Sequence, residues 1–534
     1  MMKLNYKRTL FVGFAFFLIC LFWQAYDNIV PKILIDKFGM SQTWSGLIMA
    51  LDNILALFLL PLFGAISDKC KSKRGRRTPF IVVGTLCACI LFVGLSLVDN
   101  MQLKNLGAPA QFITREDGLS AISTEGMEKI YSTQKGKVIT TSDGEKFTLG
   151  GNATEARNFT HDEFVSITAQ IFNEEGKIVT NPDFINYVAS ARQAYAHDVK
   201  EAHRFPVILF VAVLFFLLIS MAIFRSPAVA LMPDVTIKPL RSKANAIINL
   251  MGTAGGITVL VLGMVFATGS VLNAMISYTA YFSLIAGLML IALLVFLWKV
   301  KEPKFVVDMH EESKKYGIVE LDETATLSQR KLSKGEKKSL FFILFSIILW
   351  FMGYNAVTSK YSVYAGKVLN LDYNLTLLIA QAAAIVSYIP VGIVASKLGR
   401  KKTILGGIVM LTVSFATASF LRAGSPAFVM NAMFALAGIG WATINVNSFP
   451  MVVELAKGGD VGKYTGFYYT ASMAAQTLTP LFSGFLMDQT GKMTVLFPYA
   501  TIFAGLAFFT MLMVKHGDSR PDSKKGLEAL DVDD

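Results

Sequence analysis

The chain is expected to be an all-α membrane protein with 12 transmembrane helices in two six-helix bundles and a small α+β extracytoplasmic insert. Three observations carry that expectation. Of its 534 residues 53% are apolar and only 16% are charged, too little polar surface to keep a chain of this length in water. Apolar runs long enough to cross about 30 Å of hydrocarbon, roughly 20 residues at 1.5 Å each, recur twelve times along it. Lys and Arg gather in short loops between alternate runs, the bias of cytoplasmic loops.

In order, the spans are Leu10 to Val30, Trp44 to Ile66, Phe80 to Val98, Pro206 to Met232, Ala244 to Ala267 and Met275 to Trp298 in the first half. The second half has Leu340 to Tyr361, Tyr373 to Ala395, Thr403 to Leu421, Pro426 to Val453, Gly466 to Leu486 and Val495 to Val514. Lys3, Lys7 and Arg8 give the first span a lead like that of a signal peptide. No small-residue cleavage site follows Phe22 and Trp23, so it reads as an uncleaved helix. Lys69 to Arg77, Lys238 to Lys243 and Lys397 to Lys402 are the basic loops, which puts them and both termini in the cytoplasm of a cell-membrane protein. The expected division is 1–98 for helices 1 to 3, 99–204 for the insert and 205–298 for helices 4 to 6. A cytoplasmic linker at 299–338, helices 7 to 12 at 339–515 and a cytoplasmic tail at 516–534 complete it.

The insert, Asp99 to Arg204, faces outward, and its acidic side chains outnumber its basic ones. Turn signals at Ser142-Asp143-Gly144 and Glu175-Gly176 lie between short β-prone stretches and predict hairpins; Asp183 to His203 reads as a helix leading into the fourth span.

Composition also excludes function classes. The net charge of +12 sits in the short loops, so it marks membrane orientation and not nucleic-acid binding. Cys20, Cys87 and Cys89 lie in apolar runs and Cys70 in a basic loop, so no disulfide is expected. Five His are too dispersed for a metal cage, and no phosphate loop of the G-x-x-x-x-G-K-(S/T) type occurs. The expectation is therefore no cofactor, no metal, no enzyme activity, and a monomer driven by an ion gradient.

Two loops carry a signature. Between spans two and three, Gly64 permits close helix approach, Asp68 ends one helix, and Gly75, Arg76 and Arg77 begin the next, so a carboxylate and guanidinium groups can pair across the turn. The logic returns at Gly392, Ser396, Gly399 and Arg400 between spans eight and nine, with Ser396 at the Asp position. Arg225 precedes Asp234 by nine residues at the end of span four, and Asn445 precedes Glu454 by nine at the end of span ten. We expect Asp68/Arg77/Asp234 and Arg400/Glu454 to be cytoplasmic latches that hold an outward-open state and break as the halves rock. The alternative is static surface pairing, about 0 to 1 kcal/mol when exposed.

These loops resemble the G-x-x-x-D-(R/K)-x-G-R-(R/K) motif of the major facilitator superfamily. The fuller string from Pro61 to Ile81 is similar to that of sucrose transporters and their animal and bacterial relatives, with glycoside-pentoside-hexuronide cation symporters as neighbours. Gly39 to Trp44, Arg225, Asp234, Arg241, Ala244 and Asn245 extend the resemblance. It implies a sugar transporter in which Arg225 takes part in sugar and proton coupling. The carboxylate those relatives carry one helical stretch before this Arg has no counterpart in Phe215 to Phe224.

A charge inside the bilayer costs at least about 2.5 to 3.5 kcal/mol, so each one calls for a role. Asp52, Asp27 and Arg225 are the coupling candidates; Arg stays charged and can organise a carboxylate or a sugar hydroxyl without carrying the proton. Lys360 is expected to snorkel. Sugar recognition needs neutral donors and acceptors with flat aromatic faces. Gln24, Tyr26, Asn53 and Asn249 from the first half, and Asn355, Gln381, Asn445, Asn447 and Gln476 from the second, are candidates, with Trp23, Trp350 and Trp441 as stacking faces. Singly, any of them could be interhelical glue. The leading reading is a cation-coupled symporter, with the proton as the expected cation, that moves a saccharide or glycoside by alternating access. The alternatives are an exporter of amphipathic small molecules and a membrane-anchored receptor that binds through its outer insert.

Overall fold

The computed structural model describes residues 4–151, 156–237, 240–316, 332–455 and 461–516. The N-terminal half is built from α1 (Tyr6–Val12), α2 (Phe14–Lys32), α3 (Gln42–Asp68), α4 (Thr78–Leu106), α8 (Phe205–Asp234), α9 (Arg241–Val265) and α10 (Thr279–Lys299). Between α4 and α8 lie α5 (Thr124–Gln134), α6 (His161–Val165) and α7 (Ala189–Ala202). A short helix, α11 (Glu302–Lys315), leads toward the second half: α12 (Lys334–Tyr364), α13 (Tyr373–Leu398), α14 (Arg400–Ala418), α15 (Ala427–Glu454), α16 (Val461–Thr490) and α17 (Leu496–Leu512). The helices α1 and α2 run on as one rod, so twelve rods make two bundles of six.

Among the described residues ten helices are long and apolar enough to cross a membrane. The two that fall short are α13, whose described apolar stretch ends at Tyr388, and α16, which carries Tyr464, Ser472, Gln476 and Thr479. Both pack against the opposite half, α13 on α9 and α16 on α3. A helix facing a protein partner can keep polar groups that lipid would exclude. The apolar core divides accordingly: one cluster runs from Val12 to Val300, and another from Leu340 to Val514 with Ile35 joined to it.

Several boundaries move. The helix of the third span continues to Leu106, so Asp99 is a buried helical residue and not the first of a loop. The reason is its partner: Lys37 Nζ lies 2.6 Å from Asp99 Oδ2, both side chains fully buried, with the Tyr278 ring 4.0 Å from the ammonium. A buried carboxylate with such a partner extends a helix that composition alone would stop. The segment expected to be a linker holds α11, and α12 begins at Lys334 with a Ser333/Glu336 capping box. The stretch 317–331 and the tail from 517 lie outside the described residues.

Beyond Gly107 the chain forms a small layer of its own. The strands β1 (Phe112–Thr114) and β2 (Ser120–Ile122) are antiparallel, β3 (Val138–Thr140) and β4 (Lys146–Leu149) form a hairpin around Ser142–Gly144, and β5 (Arg157–Phe159) runs parallel to β4. The strands β6 (Gln170–Phe172) and β7 (Ile178–Thr180) pair across Glu175-Gly176. Phe147, Phe159, Phe164, Phe184 and Ile130 make its core, which also takes in Val271 and Met275 from the α9–α10 connection.

For brevity the end of the bundles that carries this layer is the insert face, and the end with the basic loops is the motif face. On the insert face the halves meet backbone to backbone. A Cβ on Gly46 would lie 2.1 Å from the Pro480 carbonyl, and one on Gly484 would lie 2.3 Å from the Gln42 carbonyl. On the motif face Gly392 and Gly466 meet nothing within 4 Å. Pressing a methyl group into the α3–α16 contact costs about 1 to 3 kcal/mol. Gly46→Ala should therefore lower the thermal unfolding midpoint of the purified protein by several degrees, while Gly287→Ala, where a Cβ meets nothing within 4 Å, should not. Equal midpoints for the two would show that α3 and α16 are not in such close contact.

Candidate functional site

A chamber of about 400 Å³ lies between the halves. Four of the helices that line it, α2, α9, α13 and α15, contribute one face at i, i+4, i+7 spacing. Cys20, Gln24 and Asp27 with Asn28 come from α2; Asn249, Thr253 and Gly256 from α9; Tyr354 and Thr358 from α12; Gln381, Ile385 and Tyr388 from α13; Phe434, Gly438 and Trp441 from α15. The wall is mixed: amides, hydroxyls and one carboxylate against aromatic and aliphatic surface. Tyr354 and Trp441 stack in parallel, ring centres 3.7 Å apart and planes within 3°. Gln381 Nε2 donates to Gln24 Oε1 at 2.7 Å, which ties the halves together across the chamber. Asn28 Nδ2 and Gln381 Oε1 are buried without a hydrogen-bond partner. Buried polar atoms left open cost about 1 to 3 kcal/mol each, which a bound solute with matching groups would recover.

Of the residues expected to face substrate, Gln24, Asn249, Gln381 and Trp441 line this chamber, and so does Asp27 from the coupling set. The others do not. Tyr26 is fully buried against Phe22 and Trp23. Asn447 is buried and donates to the Thr443 carbonyl of its own helix at 2.9 Å. Trp350 is fully buried in the C-terminal core, and Asn355, Asn445 and Gln476 are half-buried away from the lining. Tyr354, Asn28, Thr253, Thr358 and Tyr388 were missed. Tyr354 lies next to Asn355 in the sequence; only the helix rotation decides which of the two meets the chamber.

A second, much smaller crevice opens between α2, α3 and α8, lined by Trp23, Asp52, Leu218, Ala222 and Arg225 among others. The Arg225 guanidinium lies 5.4 Å from the Trp23 ring centre, and Asn53 Nδ2 donates to Asp52 Oδ1 at 2.8 Å. Neither Asp52 nor Arg225 faces lipid alone. The helix α2 separates the two spaces: Trp23 faces the crevice, while Gln24 and Asp27 face the chamber. Lys360 does not snorkel; it is buried and donates to the Gln42 carbonyl at 2.7 Å.

The motif face is a charge cluster within the N-terminal half. Arg77, 4% exposed, bonds Asp68 and Ser67, and its Nε lies 2.8 Å from Asp234 Oδ2. Arg76 Nη2 reaches Asp234 Oδ1 at 2.5 Å. Below them sits Glu302, 1% exposed, which sequence reading did not single out. Its carboxylate accepts the backbone N–H of Arg76 at 2.7 Å, of Arg77 at 2.9 Å and of Thr78 at 2.8 Å, and the Thr78 hydroxyl at 2.7 Å. It thus caps the start of α4 from another helix. Gly75 adopts φ +107°, and a Cβ there would collide with the Glu302 carboxyl, so the motif glycine leaves room for the cap. Gly64 faces Ser226 of α8, where a Cβ would come within 2.9 Å of its Oγ.

This geometry differs from the expected latch. Asp68, Arg77 and Asp234 join helices of one half, and they are joined while the insert face is closed. In the second copy Gly399 turns the chain at φ +90° into α14, which begins at Arg400. The side chain of Glu454, and with it the Arg400/Glu454 pair, lies outside the described residues.

The sequence profile described as Major Facilitator Superfamily matches residues 202–388 and 373–531, and one described as MFS/sugar transport protein matches 11–113. Sucrose transport protein SUC4 of Arabidopsis thaliana is 39% identical over 56 residues, 10% of this chain and 11% of that protein. Proton-associated sugar transporter A of Homo sapiens is 34% identical over 96 residues, 18% and 12% of the two chains. The chain therefore spans only about a tenth of the length of these relatives. Among solved structures, the inward-open xylose transporter XylE from E. coli aligns over 98% of this chain and 99% of its own, at TM-score 0.57 and 14% identity. A bacterial homologue of the iron transporter ferroportin, inward-facing, aligns over 96% and 99%, at 0.56 and 12%. At such identity the likeness concerns the fold.

Removing the Glu302 carboxylate strands three backbone N–H groups and deprives the nearby guanidinium cluster of a counter-charge. Glu302→Ala should cost about 2 to 4 kcal/mol in unfolding, with Glu302→Gln intermediate because the amide oxygen still accepts. An unaltered melting curve for Glu302→Ala would rule out the trans cap.

Proposed function

Because this chain belongs to the Major Facilitator Superfamily, whose members are transporters and not enzymes, we propose that it is a secondary transporter of a saccharide or glycoside, coupled to a cation. The observation that carries this reading is the chamber. Its size suits a small solute, it takes wall from both halves, and it combines amides and hydroxyls with a stacked aromatic pair. Sugars need that combination: hydroxyls stripped of water must find partners, while the flat C–H faces rest on aromatic rings. Gln24, Asn249 and Gln381 would take hydroxyls, and Trp441 backed by Tyr354 would offer the ring face. Likeness of short segments to proteins named as sugar transporters points the same way.

The proton is the cation we favour, because the two spaces beside α2 each offer a single carboxylate, Asp27 or Asp52, and among the described residues no cluster of three acidic, His or Cys groups that could hold a metal ion occurs. Asp27 stands on the chamber wall, and Asp52 stands in the crevice with Arg225. In this reading Arg225 biases the charge state of Asp52, and Trp23 on α2 carries the state of the crevice to the chamber. The basic motif face lies in the cytoplasm, the insert outside, and the present conformation is the one sealed on the outside.

The test is uptake into proteoliposomes under an imposed pH gradient with a panel of glycosides. Asp52→Asn and Arg225→Ala should abolish concentration against a gradient, by at least about tenfold, while downhill exchange persists. Gln381→Ala should raise KM about tenfold with a smaller change in maximal rate, the loss of a hydrogen bond to bound solute. Concentrative uptake by both Asp52→Asn and Arg225→Ala at the parent level would remove the crevice from the coupling path. Absence of uptake for every saccharide, with transport of amphipathic cations instead, would overturn the substrate class.

A further inference from the structure

The insert is fastened to the two halves by different kinds of contact. Toward the N-terminal half the joint is apolar and buried. Its core is continuous with Val271 and Met275, and Arg192, 3% exposed, donates to two carbonyls of that half, Asp36 at 3.0 Å and Ala274 at 2.9 Å, and to Pro109 of the insert itself at 3.1 Å. Burial pushes this guanidinium down to about 10, with Asp36 foremost among the charges that oppose the shift, so it stays charged at neutral pH. Tyr195 adds a bond to the Leu106 carbonyl at 3.1 Å. The insert therefore moves with the N-terminal half.

Toward the C-terminal half the joint is polar. Lys367, at the insert-face end of α12, places Nζ 2.7 Å from Asp36 Oδ1 of the N-terminal half and donates to Gln193 Oε1 of α7 at 2.6 Å. Its carbonyl accepts the Ser142 hydroxyl at 3.1 Å, and the Ser142 carbonyl accepts the Met493 N–H at 2.8 Å. The Gly144 position faces the aliphatic stem of Lys492 so closely that a Cβ would collide with it. Among the described residues the insert's apolar core takes none from the C-terminal half. The hydrogen bonds of the insert to the C-terminal half exchange with water at small net cost, whereas a buried apolar core does not. One joint is built to last and the other to part.

We propose that the segment from Gly107 to Arg204 is a clamp on the gate of the insert face: carried by the N-terminal half, it grips Lys367 and the Gly491–Met493 turn of the C-terminal half, and the gate opens only when that grip is released. The proposal rests on alternating access between the halves and not on the identity of the solute.

The experiment measures distance and needs no substrate. Spin labels on Ile276→Cys in the N-terminal half and Phe420→Cys in the C-terminal half, both exposed, are introduced into full-length protein lacking its native cysteines, in lipid nanodiscs. Pulsed electron resonance then reads the separation of the halves at the insert face. The parent should give mainly the short distance. Gln193→Leu removes the insert's bond to Lys367 and leaves in place the Lys367–Asp36 pair, which joins the halves directly; Met493→Pro removes the N–H given to Ser142 at the first position of a 3₁₀ turn, where proline is tolerated. Each should raise the long-to-short ratio several-fold, the effect of one hydrogen bond, about tenfold where the bond is charge-assisted, and Gln193→Glu, which keeps an acceptor for Lys367, should retain the parent distribution. The two substitutions lie on different elements, so one decides if the other fails to fold. Distributions unchanged from the parent in the folded variants would overturn the clamp. Failure of every sugar in the uptake assay would leave this result standing.

Discussion

A helix that starts inside a packed membrane protein brings N–H groups with no partner into a medium where each is costly, and much of this structure follows from where their acceptors come from. At the start of α4 the acceptor is Glu302, from the connection that follows α10. At the start of α3 it is Asp488 of α16, which takes the N–H of Gln42 at 2.9 Å and of Thr43 at 2.8 Å. Both caps are carboxylates supplied by a distant part of the chain. The first is internal to the N-terminal half and ties the start of α4 to the start of α11. The second crosses between the halves, so closure of the insert face and completion of a helix end are the same event.

That difference organises the molecule. The guanidinium cluster of the motif face stiffens one bundle, while the insert face holds a set of contacts that bring two bundles together. Besides Asp488, Lys360 donates to Gln42, and Thr268 at the end of α9 bonds Tyr373 at 2.7 Å and Asn374 at 3.0 Å at the start of α13. The pairs α3–α16 and α9–α13 are counterparts under the exchange of halves, so the seal has the two-fold character of the repeat. The insert breaks that symmetry. It exists once, is rooted in one half, and rests against the other.

Particular residues show how far the one-dimensional pattern reached. Spans, halves and basic loops follow from hydropathy and charge, because lipid imposes one rule on every residue that touches it. The hairpin at Ser142–Gly144 was legible for a local reason, a turn between β-prone stretches. Glu302 was not, since a carboxylate beside a basic loop reads as surface charge until the N–H groups it accepts are in view. Asp99 was read as the first residue of the outward insert, and it forms a buried pair with Lys37. Lys360 was read as reaching for water, but the nearest acceptor was a carbonyl of the other half. In the chamber, Gln24, Asn249, Gln381 and Trp441 were picked for their chemistry and do line the wall, while Tyr26 and Asn447 have the same chemistry and point elsewhere.

The sequence by itself determined what is periodic or local: the number of spans, their division into two sets of six, the side that carries basic charge, and the few ionisable groups that hydrocarbon would not accept. Only the tertiary structure decided which face of each helix meets the chamber, which carboxylate caps which helix, and which contacts join the halves and not one half to itself. The reason is that a rotation of some tens of degrees about a helix axis leaves its hydropathy unchanged but exchanges every neighbour. Pairings such as Lys360 with the Gln42 carbonyl, or Asp488 with Thr43, are settled by packing across hundreds of residues, and no local pattern records them.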